Sequence, residues 1–304
     1  MDKEIRQARI LIISVHYKSH SALLDMLGSL AWLKGNPEVD VIIADNASGE
    51  EELAELRPAV EEFPNASLLE SATNRGYFGA ARFAFDQYRT QGHSLPDWVI
   101  VCNHDILIED SGFFTRLLQE DPEAVGVIAP RIQVLSGKAD QNPFMRRRPG
   151  RLRWTQLRFV SSNYGVSAFW NWLCRRKAAL RCWLAARSKD SPRNAPAKRE
   201  TIYAAHGSFT IFSRRYFEAG GFLDGNLFLY GEEISVAEIC RSLGLPVVYL
   251  PALHLLHREH ESTGKVLSRF TFECQKNALR YLSSRYMPGL QGTVDLCRPN
   301  LRAR

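Results

Sequence analysis

The sequence contains no cysteine motif and no long uncharged run. Its 304 residues include 6 cysteines, but no two of them form a C-x-x-C pair or a zinc-ligand spacing. This pattern disfavours a structural zinc site and is typical of free thiols in a reducing compartment. No uncharged stretch approaches the roughly 20 residues that span a bilayer, and the apolar run before His16 is too short for a signal peptide. We therefore expect a globular protein of the cytoplasm.

Acidic residues are scarce in one segment. Between Met145 and Glu200 lie 15 of the 39 Lys and Arg residues but only 2 of the 33 Asp and Glu residues. The segment therefore has a local net charge of +13, and the rest of the chain has −7. Four of the six tryptophans also lie there. The chain thus combines an acidic body with a basic, Trp-rich insert.

Two common nucleotide-binding signatures are absent. The sequence has neither the G-x-x-x-x-G-K-[ST] of a P-loop nor a strand-flanked G-x-G-x-x-G. The segment TNRGYFGAARFAF, from Thr73 to Phe85, does place Gly76 and Gly79 at the start of a helical pattern. Glycine allows a close backbone approach, and a helix N-terminus favours an anion. An ordinary turn before a helix has the same spacing, so this segment alone does not identify a ligand.

Strand and helix patterns alternate along the N-terminal half. Strands are predicted at 9–15, 39–44, 66–69 and 98–102, and helices at 21–33, 50–62, 79–91 and 112–120. Later in the chain a strand is predicted at 209–212, with helices at 171–187, 234–243 and 269–286. Alternation of this kind predicts an α/β fold with a mostly parallel central sheet and flanking helices.

Polar residues follow three of the predicted strands. They occupy Ser14–Lys18, Asp45–Ser48 and Asn103–Asp105. Parallel strands of an open α/β sheet place their carboxyl ends at one edge, where ligands bind. Turn chemistry explains a single polar strand end, but three in succession favour a crevice for a polar ligand.

Two adjacent glutamates begin a predicted helix with one apolar face. Glu232 and Glu233 fall in its first turn, where the helix dipole favours anions. Charge complementation of the helix is one interpretation. The other interpretation is a catalytic carboxylate pair with a metal-binding acidic site nearby.

The motifs together resemble the family 2 inverting glycosyltransferases with a GT-A fold, in the branch of the bacterial rhamnosyltransferases. The resemblance covers roughly residues 9–132 and 203–285. It rests on these seven segments in family order: IISVHYKS, IADNASGE, NRGYFGAAR, VCNHDI, HGSFTIFSRRYFEAGGF, FLYGEEISVAEICRSLG and HREHES.

The resemblance implies a nucleotide-sugar donor, a dTDP- or UDP-sugar, held by the N-terminal half. It assigns donor contacts to Val15, His16, Tyr17, Asp45, Asn74, Arg75, Gly76, Gly79, Asn103 and His104. Asp45 would hold the base or ribose, and the 74–79 segment would close over the nucleotide and sugar. For His104, the alternative is a structural role as a hydrogen-bonded spacer.

The resemblance also implies the metal and the catalytic group. Asp105, the last residue of the family's D-x-D position, would hold Mg²⁺ or Mn²⁺ on the diphosphate, with His257 as a further ligand. Oxygen donors of this kind suit either cation. Glu233 would be the catalytic base, and Glu232 would contact the acceptor.

Two departures from the family pattern keep other functions open. Asn103 replaces the first Asp of D-x-D, and Ser235-Val236 follows the base where the family has D-L. An inactive GT-A-like scaffold at a membrane is therefore one alternative. A nucleotidyltransferase is another, although no Gly- and Arg/Lys-rich loop follows the first strand.

Four regions are predicted. Residues 1–144 form the nucleotide-sugar half, 145–200 the basic insert, 201–262 the acceptor half, and 263–304 a C-terminal helix and tail. For the insert we favour contact with a membrane surface, because Trp and Arg suit the headgroup region. A plain solvated insertion, docking of an anionic acceptor, and nucleic-acid binding are the alternatives, and no nucleic-acid motif is visible. The expected acceptor is a lipid-linked or cell-surface glycan, with the enzyme at the inner face of the cell membrane.

Overall fold

A computed structural model describes residues 8–30, 38–135, 140–187, 197–258 and 268–287. The strands in these ranges are β1 Ile10–His16, β2 Val39–Asp45, β3 Ala66–Glu70, β4 Trp98–Asn103, β5 Ile106–Leu107, β6 Val127–Val134, β7 Glu200–Ile202, β8 Phe209–Ser213 and β9 Val247–His257. The helices are α1 His20–Ser29, α2 Glu50–Glu61, α3 Tyr77–Thr90, α4 Phe113–Leu117, α5 Arg151–Val160, α6 Tyr164–Arg187, α7 Arg214–Glu218, α8 Glu232–Leu243 and α9 Arg269–Arg285.

All the described strands join one sheet in the order β3-β2-β1-β4-β8-β6-β9-β5, with β7 also paired to β9. Strands β1, β2, β3 and β4 are parallel to one another, and β6 is parallel to β9. Strands β8, β5 and β7 run in the opposite direction. The mostly parallel α/β sheet predicted from the sequence is therefore confirmed.

The sheet is buried on both faces, which explains why its strands are almost continuously apolar. Successive β1 side chains point to opposite faces. Ile10 and Ile12 pack in a core with α1, α2 and α4, whereas Leu11 and Ile13 pack in a core with α3, α8 and α9. The two helical layers pack on the two faces of the sheet, and the carboxyl ends of its strands lie between them.

The register brings the predicted polar strand ends together. His16 pairs with Asp45, and Val15 pairs with Asn103. The prediction that three polar segments share one edge of the sheet is confirmed. The short strand β5 then turns back and pairs Ile106 with His257, which brings the end of β9 beside Asp105.

Several elements are absent from the sequence prediction. Strands β6 and β9 contain Pro130, Arg131 and Pro251, which interrupt the apolar pattern, and the β6–β9 register shifts between Pro130 and Arg131. Proline is rare inside strands because it donates no ladder hydrogen bond. Helix α5 is also additional. Residues 188–196 of the predicted insert lie outside the described residues, as does the predicted C-terminal tail from 288 onward.

The insert forms a helical hairpin anchored to the body. We call residues 151–187, which comprise α5 and α6, the basic hairpin. Trp154 Nε1 donates to Ser283 Oγ of α9 at 3.1 Å, and the Tyr164 ring lies 5.5 Å from that of Phe272. Just before the hairpin, Arg148 bonds the buried Glu238 of α8 at 2.6 and 3.0 Å. Among the described helices, none has the length and apolar character to cross a membrane.

Candidate active site

A carboxylate and an imidazole face each other at the edge of the sheet. His257 Nε2 lies 3.2 Å from Asp105 Oδ1, and both side chains are buried. The backbone N–H of Arg258 donates to the Asp105 carbonyl at 3.0 Å, which fixes the two segments. Gln141 Oε1 accepts from His257 Nδ1 at 2.7 Å. This bond turns the Nε2 atom of His257 toward Asp105.

The surroundings keep Asp105 ionised. Burial alone raises the pKa of its carboxyl, but the contact with His257 and the neighbouring His104 outweigh burial and lower the pKa below its usual value. Asp105 Oδ1 completes no hydrogen bond with the described residues. A buried carboxylate oxygen without a hydrogen bond, beside an imidazole nitrogen, is the donor set that a cation would satisfy.

The described residues do not provide a full set of metal ligands. No group of three His, Cys, Asp or Glu side chains converges in this part of the chain. Asp105 and His257 therefore fit a divalent cation only if other oxygens, from ligand or water, complete its coordination. Their arrangement suits a cation that is bound together with a phosphate-bearing ligand.

Two further histidines lie beneath this edge. His104 Nδ1 is 3.2 Å from the Val15 carbonyl oxygen, and its ring lies 5.1 Å from that of His16. Burial, with His104 and His20, lowers the pKa of His16 to about 3. His16 is thus neutral at physiological pH. Among the predicted donor-contact residues at this strand end, Val15 and His16 are buried, whereas Tyr17 exposes its ring.

Asp45 places another carboxylate at the adjacent strand end. Its Oδ2 accepts the Ser48 N–H at 3.1 Å, while its Oδ1 is buried without a partner among the described residues. Ser48 Oγ in turn accepts the Lys18 N–H at 3.0 Å, which ties the loops after β1 and β2 together. Asp45 Oδ1 can accept a hydrogen bond from a bound molecule.

Asn46 holds the loop that precedes α3, a role that sequence reasoning missed. Its Oδ1 accepts the Arg75 N–H at 2.7 Å, and its Nδ2 donates to Asn74 Oδ1 at 3.0 Å and to the Gly76 carbonyl at 3.2 Å. The amide thereby fixes the conformation of residues 74–76 beside Asp45. Its position in the segment IADNASGE was the available signal.

The same loop packs against the segment before α8. Gly76 has φ +74°, and a β-carbon there would lie 2.2 Å from the Phe228 carbonyl oxygen. The Tyr77 N–H donates to that oxygen at 3.0 Å, so only glycine fits at this crossing. A β-carbon on Gly79 would lie 3.7 Å from the Gly225 carbonyl oxygen, an ordinary van der Waals contact. The two halves of the site are therefore in direct contact.

Tyr77 connects the two acidic parts of the site. Its hydroxyl donates to the Gly207 carbonyl at 2.9 Å. Burial raises the pKa of Tyr77 well above its ordinary value, and Cys102, Glu232, Asp105 and Glu233 add to the effect. Tyr77 is a neutral donor close to both carboxylate sites, and sequence reasoning did not identify it.

Glu232 and Glu233 form a coupled acidic pair at the start of α8. Burial, with Glu233 and Asp224, raises the pKa of Glu232 from its ordinary 4.5 to about 8. Burial also raises the pKa of Glu233, although the backbone N–H groups of Gly207 and Gly231 act in the opposite direction. Glu232 is fully buried, whereas Glu233 is half-buried and lies against Gly207. Near neutral pH the pair retains a proton, and Glu233 is the member that a ligand can reach.

Backbone strain concentrates around these groups. Three described non-glycine residues have left-handed φ values: Lys18 at 47°, Ala47 at 65° and Tyr230 at 70°. They follow β1, follow β2, and precede the Glu232–Glu233 turn. Strain of this kind persists where the surrounding structure enforces it, and it is common at functional sites.

Solved structures show which class of protein has this architecture. GalNAc-T7 with UDP, GalNAc and Mn²⁺ matches with a TM-score of 0.55 at 13% identity, over 84% of this chain and 44% of that one. The mannosyltransferase PcManGT of Pyrobaculum calidifontis, with GDP-Man and Mn²⁺, matches with 0.51 at 14%, over 95% and 77%. S. aureus TarS with UDP-GlcNAc also gives 0.51 at 14%, over 88% and 64%. The chain spans less than half of GalNAc-T7. The fold is that of the GT-A glycosyltransferases.

The chain belongs to glycosyl transferase family 2, whose model matches residues 11–183. It is a glycosyltransferase, as the sequence motifs predicted. A curated relative in two Mycobacterium tuberculosis strains, CDC 1551/Oshkosh and H37Rv, is N-acetylglucosaminyl-diphospho-decaprenol L-rhamnosyltransferase. The match is 25% identical over 283 residues, which are 90% of this chain and 84% of the relative. These matches confirm the resemblance to the rhamnosyltransferase-like family 2 enzymes.

Proposed function

We propose that this protein is a metal-dependent inverting glycosyltransferase that uses a nucleotide sugar. Its acceptor would be a hydroxyl of a lipid-linked glycan at the cytoplasmic face of the cell membrane, in the synthesis of a cell-surface or cell-wall polysaccharide. Rhamnose on dTDP is the leading donor, because the M. tuberculosis relative is named an L-rhamnosyltransferase with a diphospho-decaprenol acceptor.

The observation that carries the proposal is the pairing of Asp105 Oδ1 with His257 Nε2 in a site that also contains the Glu232–Glu233 pair. A cation and a proton acceptor are the two components that inverting transfer requires. In this site Asp105 and His257 would hold Mn²⁺ or Mg²⁺. When bound, such a cation offsets negative charge on the departing nucleoside diphosphate.

The donor would lie along the ends of β1, β2 and β4. Asp45 Oδ1 would accept a hydrogen bond from the base or ribose, and Tyr17 would contact the nucleoside. The Asn46-held loop, with Asn74, Arg75, Gly76 and Gly79, would close over the diphosphate and sugar. Asn103 and His104 complete the floor, where the Asn103 N–H donates to the Ser208 carbonyl at 2.9 Å.

Glu233 would be the catalytic base. Glu232, predicted from the sequence as an acceptor contact, is buried, and it would support Glu233. As the acceptor oxygen forms its bond to the anomeric carbon, the bond from that carbon to the diphosphate oxygen breaks and the configuration inverts. The acceptor proton passes to a Glu233 carboxylate oxygen. Glu233 is only half-buried whereas Glu232 is buried, and this difference favours the assignment over the reverse.

Calorimetric titration with dTDP-rhamnose, UDP-N-acetylglucosamine and GDP-mannose tests the donor site, first with Mn²⁺ and then with chelator. We expect one donor to bind only with the cation. Asp105→Ala should weaken its binding about 100-fold or more, because even supporting residues of metal sites cost 10–100-fold when lost. Asp86→Ala, which removes an exposed carboxylate paired with Arg82, is the matched control.

Equal donor binding with and without chelator would contradict the metal-dependent mechanism. Absence of binding to any donor would contradict the proposed donor site. Thermal melting of each variant separates these outcomes from a loss of folding.

A further inference from the structure

We propose that the basic hairpin is a membrane-surface site that binds bilayers containing anionic phospholipid. The first observation is a set of large apolar side chains exposed on α5 and α6. Their exposed fractions are 90% for Leu152, 68% for Phe159, 60% for Phe169, 50% for Trp172 and 55% for Leu180. A set of large exposed apolar side chains on one hairpin indicates an interaction site.

The large apolar residues exposed on α6 share one face. Phe169, Trp172, Leu173 and Leu180 follow the spacing of one helical stripe. The Phe169 and Trp172 rings stack at 5.8 Å, and the Arg176 guanidinium lies 5.1 Å from the Trp172 ring centre. The same spacing places Arg176 within the stripe, where its apolar stem can pack beside the rings while its guanidinium reaches the headgroup region.

Charge on the hairpin is of one sign. From Arg151 to Arg187 the sequence contains 8 arginines and lysines and no acidic residue. On the described part of the hairpin, Arg151, Arg153, Arg158, Arg176 and Lys177 belong to the exposed basic set. Juxtamembrane basic residues each favour an anionic leaflet.

A cleft between α5 and α9 provides a place for a phosphate. It has a volume of about 650 Å³, and its lining includes Arg158, Lys276, Arg280 and the hydroxyls of Ser161, Ser162 and Ser284, with no acidic residue. Phe159 lines the cleft and is also one of the exposed apolar residues. Lys276 is already paired with Glu273 at 3.2 Å, so the two arginines are the principal cations of the cleft. A lipid whose phosphate enters the cleft would place its acyl chains beside Phe159.

A membrane fits this surface better than a second copy of the chain. Symmetric dimers bury the same patch on both subunits, so self-association here would bring the two sets of cations together. Like charges opposed across an interface are strongly unfavourable. The aliphatic side chains of Leu152 and Leu180 also favour lipid over nucleic acid, whose phosphate backbone offers them no apolar contact. Membrane binding by the hairpin does not depend on the proposed transfer reaction.

Vesicle flotation of the full chain tests the inference. We expect binding to vesicles of phosphatidylcholine with phosphatidylglycerol, weaker binding to phosphatidylcholine alone, and loss of binding at high salt. The double variant Phe169→Asn with Trp172→Asn should abolish most of the binding. Arg158→Gln with Arg280→Gln should weaken it about fivefold for each charge removed.

Leu24→Asn on α1, an exposed leucine outside the hairpin, is the matched control and should bind like wild type. Equal losses in Leu24→Asn, or no binding to either vesicle, would overturn the inference. A dimer seen in sedimentation velocity and lost in the Phe169→Asn, Trp172→Asn double variant would also overturn it. Binding of a single-stranded oligonucleotide in place of vesicles would do the same. Donor titration on the hairpin variants is an independent readout, because vesicle binding and donor binding fail separately.

Discussion

The two acidic parts of the site have opposite electrostatic character. At the end of β4, the contacts of Asp105 with His257 and His104 outweigh burial and lower its pKa. At the start of α8, burial and the neighbouring carboxylates raise the pKa of Glu232 to about 8. Both groups are buried carboxylates of the candidate site. The difference shows that the partner, rather than burial itself, decides whether a carboxylate holds a cation or a proton.

The opposite pKa shifts of Asp105 and Glu232 indicate which group performs which chemical task. An ionised carboxylate beside an imidazole nitrogen is prepared for a divalent cation and the charge of a leaving group. A carboxylate pair with raised pKa values is prepared to accept a proton. Tyr77, which is close to both, keeps its own proton and holds the Gly207 segment against Glu233.

The largest expected effect comes from removing the base. Glu233→Gln should lower kcat about 10²–10⁴-fold because a positioned base contributes that range, while donor binding stays unchanged. Transfer to a soluble acceptor analogue, together with donor calorimetry, measures both. Glu232→Gln is the matched variant and should retain more activity. If Glu232→Gln instead shows the larger loss, the two glutamates exchange roles. If wild type transfers no sugar to any acceptor, an inactive scaffold becomes the better interpretation.

A smaller effect should follow from loosening the metal side. Gln141→Ala removes the acceptor that fixes the His257 ring, so Mn²⁺-dependent donor binding should weaken about tenfold. Gln133→Ala is the matched control because it removes a comparable glutamine of β6, which lies 3.2 Å from His254 of β9. Equal weakening in both variants would show a general effect on β6 and β9 and not a role in orienting a ligand.

The smallest effect concerns pH. Since the glutamate pair keeps a proton until about pH 8, kcat/KM of wild type should rise with pH through that region. Glu232→Gln removes a neighbouring negative charge, so the rising limb should move down by about one pH unit. The raised pKa means that the folded state holds more protons between pH 4.5 and 8, so this group's contribution to stability falls as pH rises. In thermal melts, the Glu232→Gln variant should not show this loss of stability with rising pH. An unshifted pH profile of kcat/KM in the variant would contradict coupling of the two glutamates.

Much of the fold could be predicted from local patterns. The segments around Ile10, Val39 and Trp98 are short apolar runs with polar ends, and buried parallel strands have that composition. The first turn of α8 was recognised from its apolar spacing. Strands β6 and β9 were missed because their prolines interrupt the pattern. Both prolines lie at the register shift, since Pro130 is the last β6 residue paired before it and Pro251 follows the paired Leu250.

The sequence identified candidate residues for the site, and the structure shows which of their atoms are in contact and how deeply each is buried. Asn46 lies in one of the recognised segments, but neither an Asn in a turn nor the isolated Gln141 indicates by itself which atoms it will bond. Their importance comes from the atoms that they bond, in Asn74, Arg75 and His257. Glu232 and Glu233 are adjacent and chemically equivalent, so in the sequence only the resemblance distinguishes them, and in the structure their unequal burial does.

The sequence by itself determined the strands, their polar ends and the charge of the insert, because these follow from residue type and short-range periodicity. Only the tertiary structure decided that His257 meets Asp105, that Tyr77 reaches Gly207, and that the hairpin exposes its aromatic stripe. Those relations join residues more than 100 positions apart or depend on which face a helix buries. Packing of the whole sheet and its helices sets them, and no local pattern contains that information.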